Sequence, residues 1–431
     1  MNASNARPIS FGEKAFAVCA LLYASTAFIR LLISPEEYSA VGDEVTASLT
    51  KQVLWLTTYA IAAYFLASRG SSIIKALKDA PFLIALISCA GMSVLWSGSR
   101  SVSIISVAAL AGNSLIGFYF GIRYSLSQFL RLLGWFYGVV VLCTFLSPIL
   151  IRDYAAEGGY WTGFFGNKNT LGMNMTVGFL VFVMLSRSAI KRKWLHRGFS
   201  ALCTILIFLS GSATCIVIFF VLVCALVIQA FIEKYSLSTV SRKVFAAAAL
   251  SCSTVFAWWH LNGIFSSLGK SEDLTGRVGL WGILILMVRD KPFLGYGYGG
   301  FWVYGGPAQA VWDTLNSDPV LFPHAHNGYL QFLLDCGIVG LTLLLALLFT
   351  TFRNAWSYSR VTRNFWPFYF VLFLVLYNLT ETTLAAKNNV TWLLFVALVV
   401  QLVRSFPILK GNAVQLKATC PAKVRIATAA T

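Results

Sequence analysis

Two of the four histidines in this chain, His324 and His326, stand two residues apart in Pro323-His324-Ala325-His326-Asn327-Gly328-Tyr329. A polar stretch meets a long apolar run here. An imidazole accepts a proton near neutral pH, so His326, at the mouth of a helix that begins near Asn327, suits a general base for a hydroxyl. A His-x-His pair can also ligate a metal, but no Cys/His/carboxylate cluster with ligand spacing accompanies it, and no metal is expected. Asp335 lies two turns deeper. An ionisable group inside an apolar run is either functional or hydrogen-bonded to a neighbouring helix. Gly337 and Gly340 allow close helix packing.

Two cations stand in equally unusual settings. Lys168 sits between asparagines in Gly166-Asn167-Lys168-Asn169, where it either holds a phosphate as a point charge or snorkels at a helix end. Arg277 follows Leu274-Thr275-Gly276 and precedes an apolar run, Val278 to Val288, too short to span a bilayer. That run fits a re-entrant or interfacial helix with Thr275 as N-cap. A cation in the first turn is disfavoured by the helix dipole unless an anion binds there. The following Pro292-Phe293-Leu294-Gly295-Tyr296-Gly297-Tyr298-Gly299-Gly300 either permits close backbone approach to a ligand or is a flexible turn. Two cations and one base suit a phosphate leaving group and a hydroxyl nucleophile. That is glycosyl transfer from a lipid-linked diphospho-sugar, with no divalent metal or other cofactor required if the cations carry the charge. His-Glu-x-x-His, Walker and Gly-x-Ser-x-Gly patterns are absent from the sequence.

The elements that must position these residues are membrane helices. Hydrophobic residues make up 58% of the 431 and charged residues 11%, against about a quarter charged in soluble domains. Apolar runs long enough to cross a bilayer recur, and in lipid they must be helical. The expectation is a single all-α polytopic membrane domain over 1–431 with about twelve transmembrane helices. The spans lie near 15–33, 50–68, 80–96, 102–121, 132–150, 170–186, two within 199–232 separated by Ser210-Gly211-Ser212, then 244–261, 326–351, 365–380 and 390–403. Residues 262–325 form one large loop, and 404–431 a basic tail that looks poorly ordered. Lys and Arg concentrate on the side of the termini, which places both termini in the cytoplasm and the loop outside. The net charge of +17 is then a topology signal with some attraction to anionic lipid, and no nucleic-acid partner is expected. The first span reads as an uncleaved anchor. The nine cysteines fall within spans apart from Cys420, so no disulfide framework is implied.

With these residues in view, the chain resembles the O-antigen ligase/polymerase superfamily of bacterial membrane glycosyltransferases. The family signature, His followed by Asn, Ser or Gln, nine residues, Gly, two residues and Gly, is matched by His326-Asn327, Gly337 and Gly340. Gly166-Asn167-Lys168-Asn169 matches a second family element. Gly276-Arg277, Trp281, Pro292, Gly295 and Gly297 match a third, and Leu95-Trp96-Ser97 is also similar. General similarity is greatest to exopolysaccharide polymerases of the ExoQ type. The resemblance implies a GT-C-like helical fold, an undecaprenyl-diphosphate-linked oligosaccharide as donor, and inversion at the anomeric carbon. It implies a bacterial inner-membrane location with the active site facing the periplasm, and other exopolysaccharide assembly proteins as partners. Carried over, His326 is the base, Arg277 a diphosphate cation and Lys168 a second one. Asn169, His324, Asn327 and Arg100 complete the substrate-binding candidates. Where the family often has Glu two residues before the first signature Gly, this chain has Asp335.

Polymerisation of repeat units and ligation of a finished glycan to lipid A core or another acceptor both fit. A transporter of a lipid-linked sugar would carry ionisable residues deep in several spans and repeated halves; only Arg30 and Asp335 qualify. A non-catalytic assembly partner would leave His326 dispensable.

Overall fold

The structure, a computed structural model, describes residues 9–27, 49–150, 156–157, 159–188, 192–235, 277–316 and 322–419. The span expected at 244–261, the first part of the long loop with Thr275 and Gly276, and Arg30, Cys252 and Cys420 lie outside the described residues.

The described residues fold as helices, with one short antiparallel ribbon among them. Helix α1 spans Phe11–Ala24. It starts earlier than its apolar run because Ser10 and Glu13 form a reciprocal capping box. Helices α2 (Leu49–Ala67), α3 (Gly70–Asp79) and α4 (Pro81–Met92) follow, α4 opened by Pro81 and closed by a 3-10 turn over Ser93–Leu95. Next come α5 (Arg100–Arg123) and α6 (Leu126–Leu150). The ribbon pairs β1 (Ala156–Glu157) with β2 (Tyr160–Trp161). Helix α7 covers Lys168–Ser188, α8 Lys193–Leu209 and α9 Ala213–Tyr235. The break between α8 and α9 falls at Ser210-Gly211-Ser212, as expected. Gly211 takes φ +58° there, and the Tyr160 ring packs where its Cβ would be.

The expected short helix appears as α10 (Arg277–Asp290). A small helix α11 (Gln309–Thr314) precedes the long α12 (Gly328–Thr362), then α13 (Trp366–Tyr377) and α14 (Val390–Thr419). The backbone of α14 stays helical beyond residue 403, where a poorly ordered tail was expected.

Among the described residues, α5, α6, α7, α9 and α12 are long and apolar enough to cross a membrane, and three shorter apolar helices accompany them. The protein is a multi-pass, helical membrane protein.

Close packing at the centre uses glycine. Gly117 and Gly121 of α5 face Val396 and Val400 of α14 with no space for a Cβ. At one end of this pair Arg123 is buried against Glu13, with Nη2 to Oε2 at 2.7 Å. Arg404 of α14 donates to the Gly121 and Ile122 carbonyls at 2.7 and 2.6 Å. The start of α1, the end of α5 and the middle of α14 thus meet at one basic end of the bundle.

At the other end the loop between α10 and α12 builds a second small core from Leu280, Leu284, Phe301, Val311, Trp312 and Leu334. Its attachment to the bundle is specific. Helix α12 breaks at Gly337, whose φ is +64°. The break frees backbone groups that would otherwise lie unsatisfied in an apolar setting. The Pro292–Gly297 segment takes them up. Tyr296 N donates to Leu334 O at 2.7 Å and Gly297 N to Asp335 O at 3.0 Å; Ile338 N donates to Pro292 O at 2.8 Å and Val339 N to Phe293 O at 3.3 Å. Gly337 was expected to serve helix packing. It instead supplies the backbone conformation that lets a loop strand enter the helix, since a Cβ there would strike the Phe293 backbone.

Asp335 serves the same junction. One carboxylate oxygen accepts from Gly299 N and the other from Gln331 Nε2, both at 3.1 Å. Trp96 of the Leu95-Trp96-Ser97 element donates to Leu294 O at 3.0 Å. Gly297 and Gly300 pack onto Ser97. Three of the sequence elements therefore meet around one helix break.

Candidate functional site

The site is organised by a residue that the sequence reading passed over, Glu381, in the connection between α13 and α14. Asn378 shapes that connection. Its side chain accepts from Thr383 N and Leu384 N at 2.8 and 2.9 Å and donates to Leu374 O at 2.9 Å. Its backbone carbonyl accepts from Gly328 N at 2.9 Å. The turn bearing Glu381 is thereby fastened to the first residue of α12. Gly328 has no space for a Cβ beside the Asn378 side chain.

Asn327 caps α12, accepting from Tyr329 N and Leu330 N, each at 3.0 Å. Its amide nitrogen donates to Leu379 O at 3.1 Å, a second tie to the Glu381 turn. His326 therefore stands just outside the helix, at the mouth expected for it. Its backbone has φ +47°, a conformation that non-glycine residues rarely hold unless the surroundings impose it. Two bonds impose it here. His326 N donates to His324 Nδ1 at 3.2 Å, and Ala325 N donates to Gln331 Oε1 at 3.1 Å. His324 Nδ1 thereby supports the His326 backbone. The two rings lie 4.1 Å apart.

Glu381 is 6% exposed. Its Oε1 accepts from Arg277 Nη2 at 2.8 Å and from Asn169 Nδ2 at 3.0 Å. Its Oε2 faces His326 Nδ1 at 3.7 Å, beyond hydrogen-bond range. Burial works to raise the pKa of this carboxyl. The facing His326 imidazole and the Arg277 charge outweigh it, with His324 adding to them, and hold the group below the usual glutamate range. The carboxylate is ionised at neutral pH.

Arg277 also donates through Nη1 to Thr380 O at 2.6 Å. Two of the five guanidinium N–H donors are engaged in this way. Asn169 is fixed in turn, since Ser212 Oγ donates to its side-chain oxygen at 2.8 Å. Lys168, one residue earlier, rests over the Tyr160 ring at 4.2 Å. Arg277, Asn169, His324, His326 and Asn327 thus converge on the Leu379–Glu381 turn, with Lys168 adjacent. Arg100 does not join them. Its guanidinium donates to Leu95 O at 3.3 Å at the exposed start of α5.

Glu381 could have been found. It lies in a polar stretch, Asn378 to Thr383, between two apolar runs. A buried arginine needs a carboxylate beside it, and that requirement is the signal that points to Glu381.

Comparison with known proteins fits this geometry. Residues 198–345 match the family model described as O-antigen ligase. That stretch holds Arg277, the Pro292–Gly297 segment, His326 and the Gly337 break, but not Lys168, Asn169 or Glu381. Over 209 residues, 46% of this chain, the sequence is 29% identical to the exopolysaccharide production protein ExoQ of Rhizobium meliloti (strain 1021). The match spans about half of that relative, 47% of its length. The resemblance read from the motifs is therefore borne out, and this chain is similar to the O-antigen ligase/polymerase superfamily and, within it, to an ExoQ exopolysaccharide production protein.

Proposed function

We propose that the protein is a glycosyltransferase that joins undecaprenyl-diphosphate-linked oligosaccharide units into exopolysaccharide on the periplasmic side of the inner membrane. The observation that carries this reading is the convergence of Arg277, His326 and Glu381 at one end of the bundle. In the proposed step His326 Nε2 takes the proton of an acceptor hydroxyl, since Nδ1 is the nitrogen that faces Glu381. The hydroxyl oxygen attacks the anomeric carbon from the face opposite the diphosphate, and the carbon–oxygen bond to the diphosphate breaks with inversion. The electron pair leaves with undecaprenyl diphosphate.

Glu381 acts as a positioning residue. It favours the imidazolium that forms at His326 and holds the Arg277 fork in one plane. The uncommitted N–H donors of Arg277 receive the diphosphate, with Lys168 as a second cation. Since these cations carry the leaving-group charge, the reaction proceeds in EDTA.

The description of the matched family favours a second reading, transfer of a completed glycan to another acceptor such as lipid A core. Cells lacking the gene separate the two. Loss of a polymerase leaves single repeat units, whereas loss of a ligase leaves full-length chains on the lipid carrier. Wild-type polysaccharide in such cells would overturn both.

A further inference from the structure

The basic end of the bundle holds a second feature, independent of the proposed chemistry. A cavity of about 550 Å³ opens between α6, α7 and α8. Its lining includes Leu185 and Ser188 at the last turn of α7, whose first turn carries Asn169. A helix of 21 residues separates the two places by ~30 Å at 1.5 Å rise per residue.

The cavity has an apolar slot and a basic rim. Gly134 lets α6 close directly on Leu185, and Gly138 faces Phe199 at 3.9 Å. Leu185 fills the space beside Gly134, whereas Gly138 leaves room before Phe199, and both glycines line the groove. Phe182 and Phe199, stacked at 4.9 Å, form its floor. Trp135 and Leu142 flank it on the outward surface, Trp135 being 71% exposed on a membrane-spanning helix.

Arg131, Arg192 and His196 stand around the opening. Among the described residues neither arginine side chain has an ion-pair or hydrogen-bond partner, and no acidic side chain lines the cavity. His196 Nδ1 is buried without a hydrogen-bond partner. Helix α8 starts here with Arg192 as N-cap and no side-chain cap, so its first amides point toward the same anion-attracting end.

A slot for hydrocarbon beside unneutralised cations fits an amphiphile whose head is an anion. A soluble phosphate would leave the slot unfilled. A zwitterionic head would bring its own cation against the arginines. We propose that this cavity binds an anionic phospholipid, with the phosphodiester at Arg131, Arg192 and His196 and an acyl chain along the Gly134–Gly138 groove.

The test uses the full chain in detergent, titrated with phosphatidylglycerol or phosphatidylcholine of identical chains and read by native mass spectrometry and thermal unfolding. One phosphatidylglycerol is expected to bind about tenfold or more tighter than phosphatidylcholine, and to raise the unfolding temperature more. Arg131→Gln/Arg192→Gln is expected to abolish the preference. Gly138→Leu fills the groove while leaving the rim intact, and is expected to remove the bound lipid. Glycerol 3-phosphate, the head without its chains, is expected to protect much less. Equal retention of the two lipids by the native protein would overturn the proposal, with no variant needed. So would an unchanged preference in both variants, or full protection by glycerol 3-phosphate.

Discussion

Glu381 Oε2 faces His326 Nδ1 at 3.7 Å, while the other oxygen of the same carboxylate accepts from Arg277 at 2.8 Å. One buried acid therefore addresses both the proposed base and the proposed diphosphate cation. Residues from three separate parts of the sequence depend on it.

The first prediction concerns this carboxylate. Glu381→Gln keeps the shape and the contact with Asn169 but removes the charge. Turnover is expected to fall about 10- to 100-fold, the range for outer groups that orient an imidazole. Glu381→Asp should recover part of the loss if positioning is the role. Equal loss in both variants, with donor binding intact, would contradict it.

The same residue fixes an acid-stability prediction. The Glu381 carboxyl is held below its ordinary value of 4.5. Its ionised form thus contributes stability that is fully present above that value and is lost as pH falls through the depressed folded value. The difference in unfolding temperature between wild type and Glu381→Gln should persist from about pH 8 to 5 and shrink at lower pH. A difference that vanishes above pH 5 would contradict the assignment.

Arg277→Ala should weaken donor use more than Arg277→Lys, because lysine keeps the charge but loses the planar fork to Thr380 and Glu381. Both lose stability. The alanine variant leaves a buried carboxylate without its cation, which costs about 3–5 kcal/mol in comparable pairs. Thermal unfolding in detergent and donor-titration kinetics measure the two effects separately.

Gly337→Ala tests the helix break. The new Cβ would occupy the Phe293 backbone and strain a positive φ, so the Pro292–Gly297 segment must leave the break. Destabilisation of at least ~3 kcal/mol is expected, seen as lower unfolding temperature or poor accumulation in the membrane. Normal stability would mean that the break is dispensable.

Much of this architecture was legible in the sequence, for physical reasons that vary along the chain. The apolar runs predict helices because lipid permits little else. Ser210-Gly211-Ser212 marks a break because Gly211 alone can turn there. Asn327 marks a helix start because its amide caps one, and His326 follows from that placement. Less legible was the join between distant elements. Gly337 and Pro292-x-x-Gly295 stand as separate motifs in the sequence, and only the fold shows that one breaks a helix for the other to enter. Glu381 escaped because its spacing to His326 and Arg277 has no local period; α13 and the Asn378 turn bring it there. Arg100, a substrate-binding candidate in the sequence, stays at the exposed start of α5 on the Leu95 carbonyl, because a residue's type and place in the chain do not fix its contacts.

The proposed chemistry turns on His326. The direct measurement is turnover of purified protein with undecaprenyl-diphosphate-linked oligosaccharide in EDTA, comparing wild type, His326→Ala and His324→Ala. Wild type is expected to elongate chains with release of undecaprenyl diphosphate. A loss of about 10²- to 10⁴-fold is expected in His326→Ala, as for removal of a general base. A milder loss is expected in His324→Ala, which removes the bond holding the His326 backbone. Polymer formed at an undiminished rate by His326→Ala would contradict the general-base assignment at the centre of the account.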